Sequence, residues 1–376
     1  MATAEYADLA HVGPDTLAGR YLRRFWQPAY VGRELPAGWA KPVRLLGEDF
    51  TLYRGEGGQA HAVAFRCAHR GTQLSTGWVE GDCLRCFYHG WKYDGSGQCT
   101  EMPAEDPSFP PKVRIRSYPT AEYLGLVFVY LGEGEAPPLP RYPEFEAEGV
   151  LGASSYVRPC NYFNSLDNDP IHVAFVHRHT DLEPHSLPEV VECEETAYGM
   201  LVGTREDGVV RRMYRIMPNA VLLDFPSQDG LGRGRIQLAW RVPLDDEHHA
   251  SFNATLARVS GVEAERYRER LRARAERPEA VGAQAGPSPL ELAEAVLRGE
   301  LRVHDLTEHP ALVNIQDDVS QMGQGVIADR LHERLGREDA SVIRFRQLWL
   351  RELRALAEGR PLTTWTWTGL PSESAV

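Results

Sequence analysis

The chain has 376 residues, of which 43% are hydrophobic and 25% charged, and a formal net charge of −12. That length exceeds one ordinary core and suggests two domains of a normal soluble globular type. The acidic balance excludes non-specific binding to nucleic acid or to an anionic membrane surface.

The N-terminal run Met1-Ala2-Thr3-Ala4-Glu5 has neither a basic segment nor an apolar one, so no signal peptide is expected. Residues 16–26 have helical spacing and predict a short helix. From about 28 to 135 the pattern changes to short β-prone runs, such as Val43–Leu46 and Phe50–Tyr53, cut by Gly-rich turns at 55–58 and 95–97. The longest apolar run, Leu124–Leu131, has the length of a strand and is far too short to cross a bilayer. Pro137, Pro138, Pro140 and Pro143 form a Pro-rich hinge and a domain boundary. Strands then alternate with polar turns up to 258, among them Met213–Met217, Ala220–Phe225 and Arg235–Trp240. A charged helix is expected over 262–276, a loop over 278–288 and a last amphipathic helix over 340–358. There is no internal repeat, and the glycines at 55–58 and 323–325 make no dinucleotide fingerprint.

Six cysteines, at 67, 83, 86, 99, 160 and 193, are too scattered for a disulfide framework. Cys83, Cys99, Cys160 and Cys193 read as small packed or surface residues. Cys67 and Cys86 belong to a set: Cys67-Ala68-His69, then Cys86-Phe87-Tyr88-His89. Two thiolates and two imidazoles in this order can hold a [2Fe–2S] cluster with two Cys on one iron and two His on the other, the Rieske arrangement. A structural zinc site also uses two Cys and two His, but its common spacings pair Cys with Cys and His with His. Here each loop carries one of each, followed by a turn signal, Arg70-Gly71 and Gly90-Trp91. A reducing cytoplasm suits a thiolate-held cluster.

The second chemical signal is Asp169-Pro170-Ile171-His172 followed by His177. Two neutral imidazoles and a carboxylate on one face of an iron leave positions open for O2 and substrate. On a regular helix His172 and His177 would sit ~140° apart, so they share a metal only if the helix is broken between them. Taken alone, Asp169-Pro170 is also a good helix start, with Asp as cap and Pro at the first position. The cluster motif in the same chain favours metal ligation. The third ligand must come from elsewhere, and Ile315–Gly325 supplies Asp317 and Asp318. His179 and His185 read as loop histidines.

Taken together, Cys67-x-His69-Arg-Gly, Cys86-x-x-His89-Gly-Trp-Lys-Tyr, Asp169-x-x-His172-x4-His177 and the acidic stretch at 316–330 resemble the α subunit of Rieske non-haem iron aromatic-ring-hydroxylating oxygenases. The resemblance is strongest to the phthalate-dioxygenase-like branch and covers about residues 20 to 358. High-potential Rieske proteins carry two further loop cysteines, and their absence here resembles the lower-potential oxygenase type. The resemblance implies an α+β fold: an antiparallel Rieske β domain, residues 28–137, set within a helix-grip catalytic domain, residues 1–27 and 138–376, whose curved antiparallel sheet carries helices on one side. It implies a cluster held by Cys67, Cys86, His69 and His89, and a mononuclear Fe(II) held by His172, His177 and Asp318, with Asp317 as the other candidate. Asp169 would bridge His89 of one protomer to His172 of its neighbour in a head-to-tail homotrimer. In the family's pattern an Asn or Glu-Asn often stands four or more residues before that Asp, where this chain has Ser165 and Leu166, with Asn164 and Asn168 nearby.

The implied function is that of a cytoplasmic terminal oxygenase. A reductase, directly or through a ferredoxin, would supply electrons for O2-dependent hydroxylation or dihydroxylation of an aromatic substrate. Oxidative O- or N-demethylation fits the same scaffold. A Rieske ferredoxin, purely an electron carrier, is the alternative of another class, and it would leave some 240 residues and the two-His motif without a role. A member that has lost catalysis and only binds is a third.

Overall fold

The computed structural model describes residues 3–168, 189–206, 209–225, 234–276 and 286–370. Two short helices, α1 (Thr3–Ala10) and α2 (Leu17–Leu22), lead into β1 (Gln27–Val31). The helix expected over 16–26 starts where Thr16 caps the Gly19 N–H, but it stops at Leu22 because the following residues pass into β1. The first β region then contains β2 (Ala40–Leu45), β3 (Glu48–Arg54), β4 (Ala60–Ala64), β5 (Trp78–Glu80), β6 (Cys83–Arg85), β7 (Lys92–Tyr93), β8 (Cys99–Glu101), β9 (Ser117–Tyr118), β10 (Thr120–Tyr123) and β11 (Leu126–Val129). They form three antiparallel sheets, ordered β2-β3-β4-β9, β5-β6-β7-β8 and β1-β11-β10.

Two hairpins share one turn chemistry. Leu46-Gly47 joins β2 to β3 and Leu124-Gly125 joins β10 to β11, with both central residues of each at positive φ. That is the backbone a type I′ hairpin turn demands. The apolar run Leu124–Leu131 is therefore not one strand; its first two residues are the turn. Leu46 and Leu124 tolerate the left-handed conformation while their side chains are buried in the core, which offsets a cost of roughly 1–2 kcal/mol each.

The second region opens with β12 (Val150–Arg158) and α3 (Tyr162–Leu166). It continues with β13 (Glu189–Thr196), β14 (Gly199–Glu206), β15 (Val209–Ile216), β16 (Ala220–Phe225), β17 (Arg235–Pro243) and β18 (His249–Ala257). Among the described residues four helices follow: α4 (Gly261–Glu276), α5 (Pro289–Leu297), α6 (Leu312–Gly323) and α7 (Ala340–Ala357). The loop expected over 278–288 ends in a capping box: Ser288 accepts from the Glu291 N–H and Glu291 reaches back to Ser288, so α5 begins there. Residues 278–285 of that loop lie outside the described residues.

The seven strands make one antiparallel sheet, β12-β18-β17-β16-β15-β14-β13. Strand alternation gives it two different faces. Leu222, Leu238, Trp240, Val242 and Phe252 point one way, where Trp240 meets the rings of Phe128 at 5.5 Å and Tyr142 at 6.1 Å. The Leu46 and Gly47 N–H groups also bond Pro243 and Leu244 carbonyls at 2.8 Å, so the two regions share one apolar core. Tyr156, Arg158, Arg215, Arg241, His249 and Ser251 point the other way, toward α3, α6 and α7. A smaller core of Tyr53, Leu74, Leu84, Trp91, Tyr93 and Ile115 sits beneath the loops that carry Cys67 and Cys86.

Candidate metal centres

Cys67 and Cys86 sit at equivalent points of two similar loops. The Cys67 N–H bonds Thr72 O at 2.8 Å and Cys67 O accepts from Gly71 N at 3.0 Å. The Cys86 N–H bonds Trp91 O at 2.8 Å and Cys86 O accepts from Gly90 N at 3.0 Å. Gly71 and Gly90 both lie at φ 75°, a conformation that glycine adopts without a Cβ penalty. At Gly90 a Cβ would also stand 2.9 Å from Pro103 Cγ.

The loops bring the four candidate ligands together as two pairs. Both thiols are buried and interact with each other. The imidazoles of His69 and His89 are exposed, with ring centroids 4.4 Å apart. His69 stacks on Trp91 at 4.6 Å, and Arg85 braces the second loop through Gly90 O at 2.8 Å while paired with Glu80 and Glu101. Among the described residues no three His, Cys, Asp or Glu side chains converge on one metal position. A cluster with two irons asks for something else, two donors per iron, and a soft pair beside an imidazole pair is that donor set.

The surroundings tune these donors. Burial pushes the Cys67 thiol up, while the Tyr93 hydroxyl and the His69 N–H pull it down. Tyr93 Oη lies 3.2 Å from Cys67 Sγ and accepts from the Ala68 N–H at 3.3 Å, so toward a thiolate it is the donor. Desolvation, then His69 and Arg70, hold His89 below its ordinary value, favouring the neutral imidazole that binds metal.

Asp169, His172 and His177 lie outside the described residues, as do His179 and His185. What leads into them is described. Asn164 donates to Gln321 O at 3.3 Å and Gly325 O at 2.9 Å and accepts from the Ala328 N–H at 3.2 Å. Ser165 donates to the Gln321 side chain. Asp167 is buried against Arg346 at 2.6 Å and Arg330 at 3.4 Å. The segment ending at Asn168 is thus locked to α6, which carries Asp317 and Asp318.

Asp318 is fully buried on α6. Arg158 Nε donates to its Oδ1 at 2.6 Å, and the Tyr156 hydroxyl donates to its Oδ2. Burial raises its pKa, and Arg158 and Tyr156 oppose that. Asp317 is only partly buried, with its Oδ2 3.9 Å from Arg158 Nη2. A ligating carboxylate held by outer donors matches the surroundings of Asp318. The sequence does not single out Tyr156 or Arg158, while Asn164 enters only as a neighbour of the family's Asn position and Tyr93 only as the end of the second loop motif. Tyr93 stands four residues after His89, but nothing local marks Tyr156 or Arg158, whose partner is some 160 residues away. A cavity of about 250 Å³ among Trp26, Phe128, Trp240 and Trp365 opens on the opposite face of the sheet from these groups.

Comparison with known proteins agrees with this geometry. Residues 25–119 match the Rieske [2Fe-2S] domain family. The chain is 33% identical to the 5,5'-dehydrodivanillate O-demethylase oxygenase subunit of Sphingobium sp., over 96% of this chain and 82% of that protein. It is 28% identical to the phthalate 4,5-dioxygenase oxygenase subunit of Pseudomonas putida, over 93% of this chain and 86% of that protein. Its fold is similar to that of NdmA from Pseudomonas putida CBB5, with a TM-score of 0.66, 22% identity, and 90% of this chain and 93% of that one covered. Among the described residues no helix is long and apolar enough to cross a membrane. With paired thiols and imidazoles in the Rieske loops and a relative matched along almost its whole length, the chain belongs to the catalytic (α) subunits of the Rieske non-haem iron oxygenases, enzymes that carry a [2Fe–2S] cluster and a mononuclear iron.

Proposed function

We propose that the chain is the terminal oxygenase of a multicomponent system that hydroxylates or dihydroxylates an aromatic substrate, with electrons from a reductase, directly or through a ferredoxin. When bound, the [2Fe–2S] cluster carries single electrons, and the mononuclear iron offers open positions for O2 and substrate. The observation that carries the reading is the polarity of the Rieske loops: thiols buried, imidazoles at the surface. Cys67 and Cys86 would hold the inner iron as thiolates, and His69 and His89 the outer one. His89 would then be the exit toward another protomer.

In this reading Asp318, with His172 and His177, holds the mononuclear iron, and Arg158 and Tyr156 fix the carboxylate that faces it. Asp169 orients His89 of one protomer and His172 of its neighbour in a head-to-tail homotrimer. The Rieske unit is residues 28–137, with residues 1–27 and 138–376 forming the catalytic unit; the Pro-rich run after Glu135 supports the boundary. Six free cysteines support a cytoplasmic setting. An electron carrier alone does not need the seven-stranded sheet or Asp318, and family membership sets that alternative aside.

Oxidative O-demethylation is the second reading, favoured by the near full-length similarity to an O-demethylase oxygenase subunit. Substrate-dependent O2 uptake with a surrogate reductase separates the two. Formaldehyde released from methoxylated aromatics indicates demethylation, and a hydroxylated or diol product from an unmethoxylated ring indicates ring oxygenation. No coupled O2 uptake with either group, in a protein holding about three irons per chain, would refute both.

A further inference from the structure

The cavity of about 250 Å³ on the far side of the sheet from Asp318 takes no part in the metal chemistry. It lies where four parts of the chain meet: the entry to β1, the Pro-rich run after Glu135, the turn between β15 and β16, and the segment that follows α7. Phe128 and Trp240, both buried, form its inner lining, and Trp26 and Trp365, both partly exposed, line it further out.

The protein itself fixes these rings. Trp26 Nε1 donates to Pro137 O at 2.7 Å, and Trp365 Nε1 donates to the Tyr21 hydroxyl at 2.9 Å. Trp240 is held edge-on by Phe128 and Tyr142. The segment after α7 is anchored where the Thr363 N–H and hydroxyl donate to the buried Glu352, at 3.0 and 2.7 Å. With their N–H donors committed, Trp26 and Trp365 offer apolar ring surface, and a preformed site of this kind costs little ordering to fill.

One charged side chain lines the cavity, Arg24, and it is exposed. Its neighbour Arg23 is buried and donates to the Val12, Gly19 and Leu46 carbonyls. The Arg24 guanidinium makes no hydrogen bond or ion pair among the described residues. A cavity of about 150 Å³ takes up benzene, so this one has room for one ring with a small substituent. Indole rings pack well against another flat ring, and a guanidinium pairs with a carboxylate through two parallel hydrogen bonds. The chain as a whole carries a net charge of −12, so an attraction for anions is local to this cation.

We infer that the cavity is an accessory binding site for a single-ring aromatic carboxylate, with the ring among Trp26, Trp240 and Trp365 and the carboxylate on Arg24. The site is separate from Asp318 and stands independently of the function proposed above. Its ligand touches the Pro-rich run and the segment after α7 together and ties one to the other.

The test uses the purified holoenzyme and three probes: benzoate, benzamide and cyclohexanecarboxylate. Calorimetric titration counts sites, which separates this one from any benzoate bound on the Asp318 side. The wild type is expected to bind one more benzoate per chain than Arg24→Gln or Thr364→Glu, the second of which puts a repelling charge on an exposed residue of the lining. At the extra site benzamide, which lacks the charge, and cyclohexanecarboxylate, which lacks the flat ring, should bind at least about tenfold more weakly. Benzoate should also raise the melting temperature of the wild type more than that of either variant. Both altered side chains are exposed, so the ligand-free variants should melt with the wild type and keep the cluster absorption. Equal benzoate stoichiometry in the wild type and both variants overturns the inference. So does equal affinity of the extra site for benzoate and either of the other two probes.

Discussion

Arg158, the last residue of β12, donates to the carboxylate of Asp318 on α6 at 2.6 Å, and both side chains are buried. Removing one partner of such a pair leaves the other charged and desolvated. Arg158→Met should therefore cost about 3–5 kcal/mol, while Arg158→Met combined with Asp318→Leu should recover most of it. Thermal melting of the two variants checks this. An additive loss in the double variant would show that the two residues are not coupled.

Asp318→Asn tests ligation separately from packing. It is expected to lower iron from about three to about two per chain while the visible absorption of the cluster persists. If all three irons remain, Asp317 becomes the candidate, and Asp317→Asn should then show the loss.

The Tyr93 hydroxyl bonds Cys67 Sγ, and a donor to a cluster sulfur stabilises the more negative, reduced state. Tyr93→Phe should keep the cluster and lower its reduction potential by an amount on the order of 50 mV, taking about 1 kcal/mol for the bond. Redox titration followed by electron paramagnetic resonance reads the shift. An unchanged potential would mean that the hydroxyl does not bond the loaded cluster.

Asn164 satisfies three backbone groups on the α6 side of the catalytic region. Asn164→Ala leaves buried groups unpaired and should cost about 1–3 kcal/mol. The same change should speed loss of the mononuclear iron to a chelator without bleaching the cluster. Equal bleaching of both centres would point to general unfolding instead.

His249 is buried, donates through Nδ1 to Cys160 O at 2.8 Å, and has its pKa held down at about 3 by burial. The unfolded chain protonates this group near pH 6.5. Between about pH 3 and 6.5 the unfolded state thus binds the extra proton, and stability falls as the pH drops through that window. His249→Gln should lack about 3 kcal/mol of the loss that the wild type shows between pH 7.5 and 4.5. Urea unfolding at the two pH values measures it, and parallel losses would show that another group carries the effect.

The two candidate cluster loops were legible from spacing alone. A Cys and a His two or three residues apart, followed by a glycine that closes the loop, can be read locally because one loop positions both ligands. The strands Ala220–Phe225 and Arg235–Pro243 and the helix Ala340–Ala357 were legible for a similar reason: their apolar period is a property of the segment. The hairpin turn at Leu124-Gly125 was not, because the buried Leu124 looks like a strand residue until its partner strand is known.

By itself the sequence determined the chemistry: which donors are present, that they come as a two-Cys, two-His set with a separate acidic pair, and that the chain folds as short strands followed by a longer α+β region. Tertiary structure alone decided which groups are neighbours. The pairing of Arg158 with Asp318, the hold of Asn164 on α6 and the donor beside Cys67 all depend on sheet register and helix docking. Those bring together residues far apart in the chain, and no local pattern encodes that proximity.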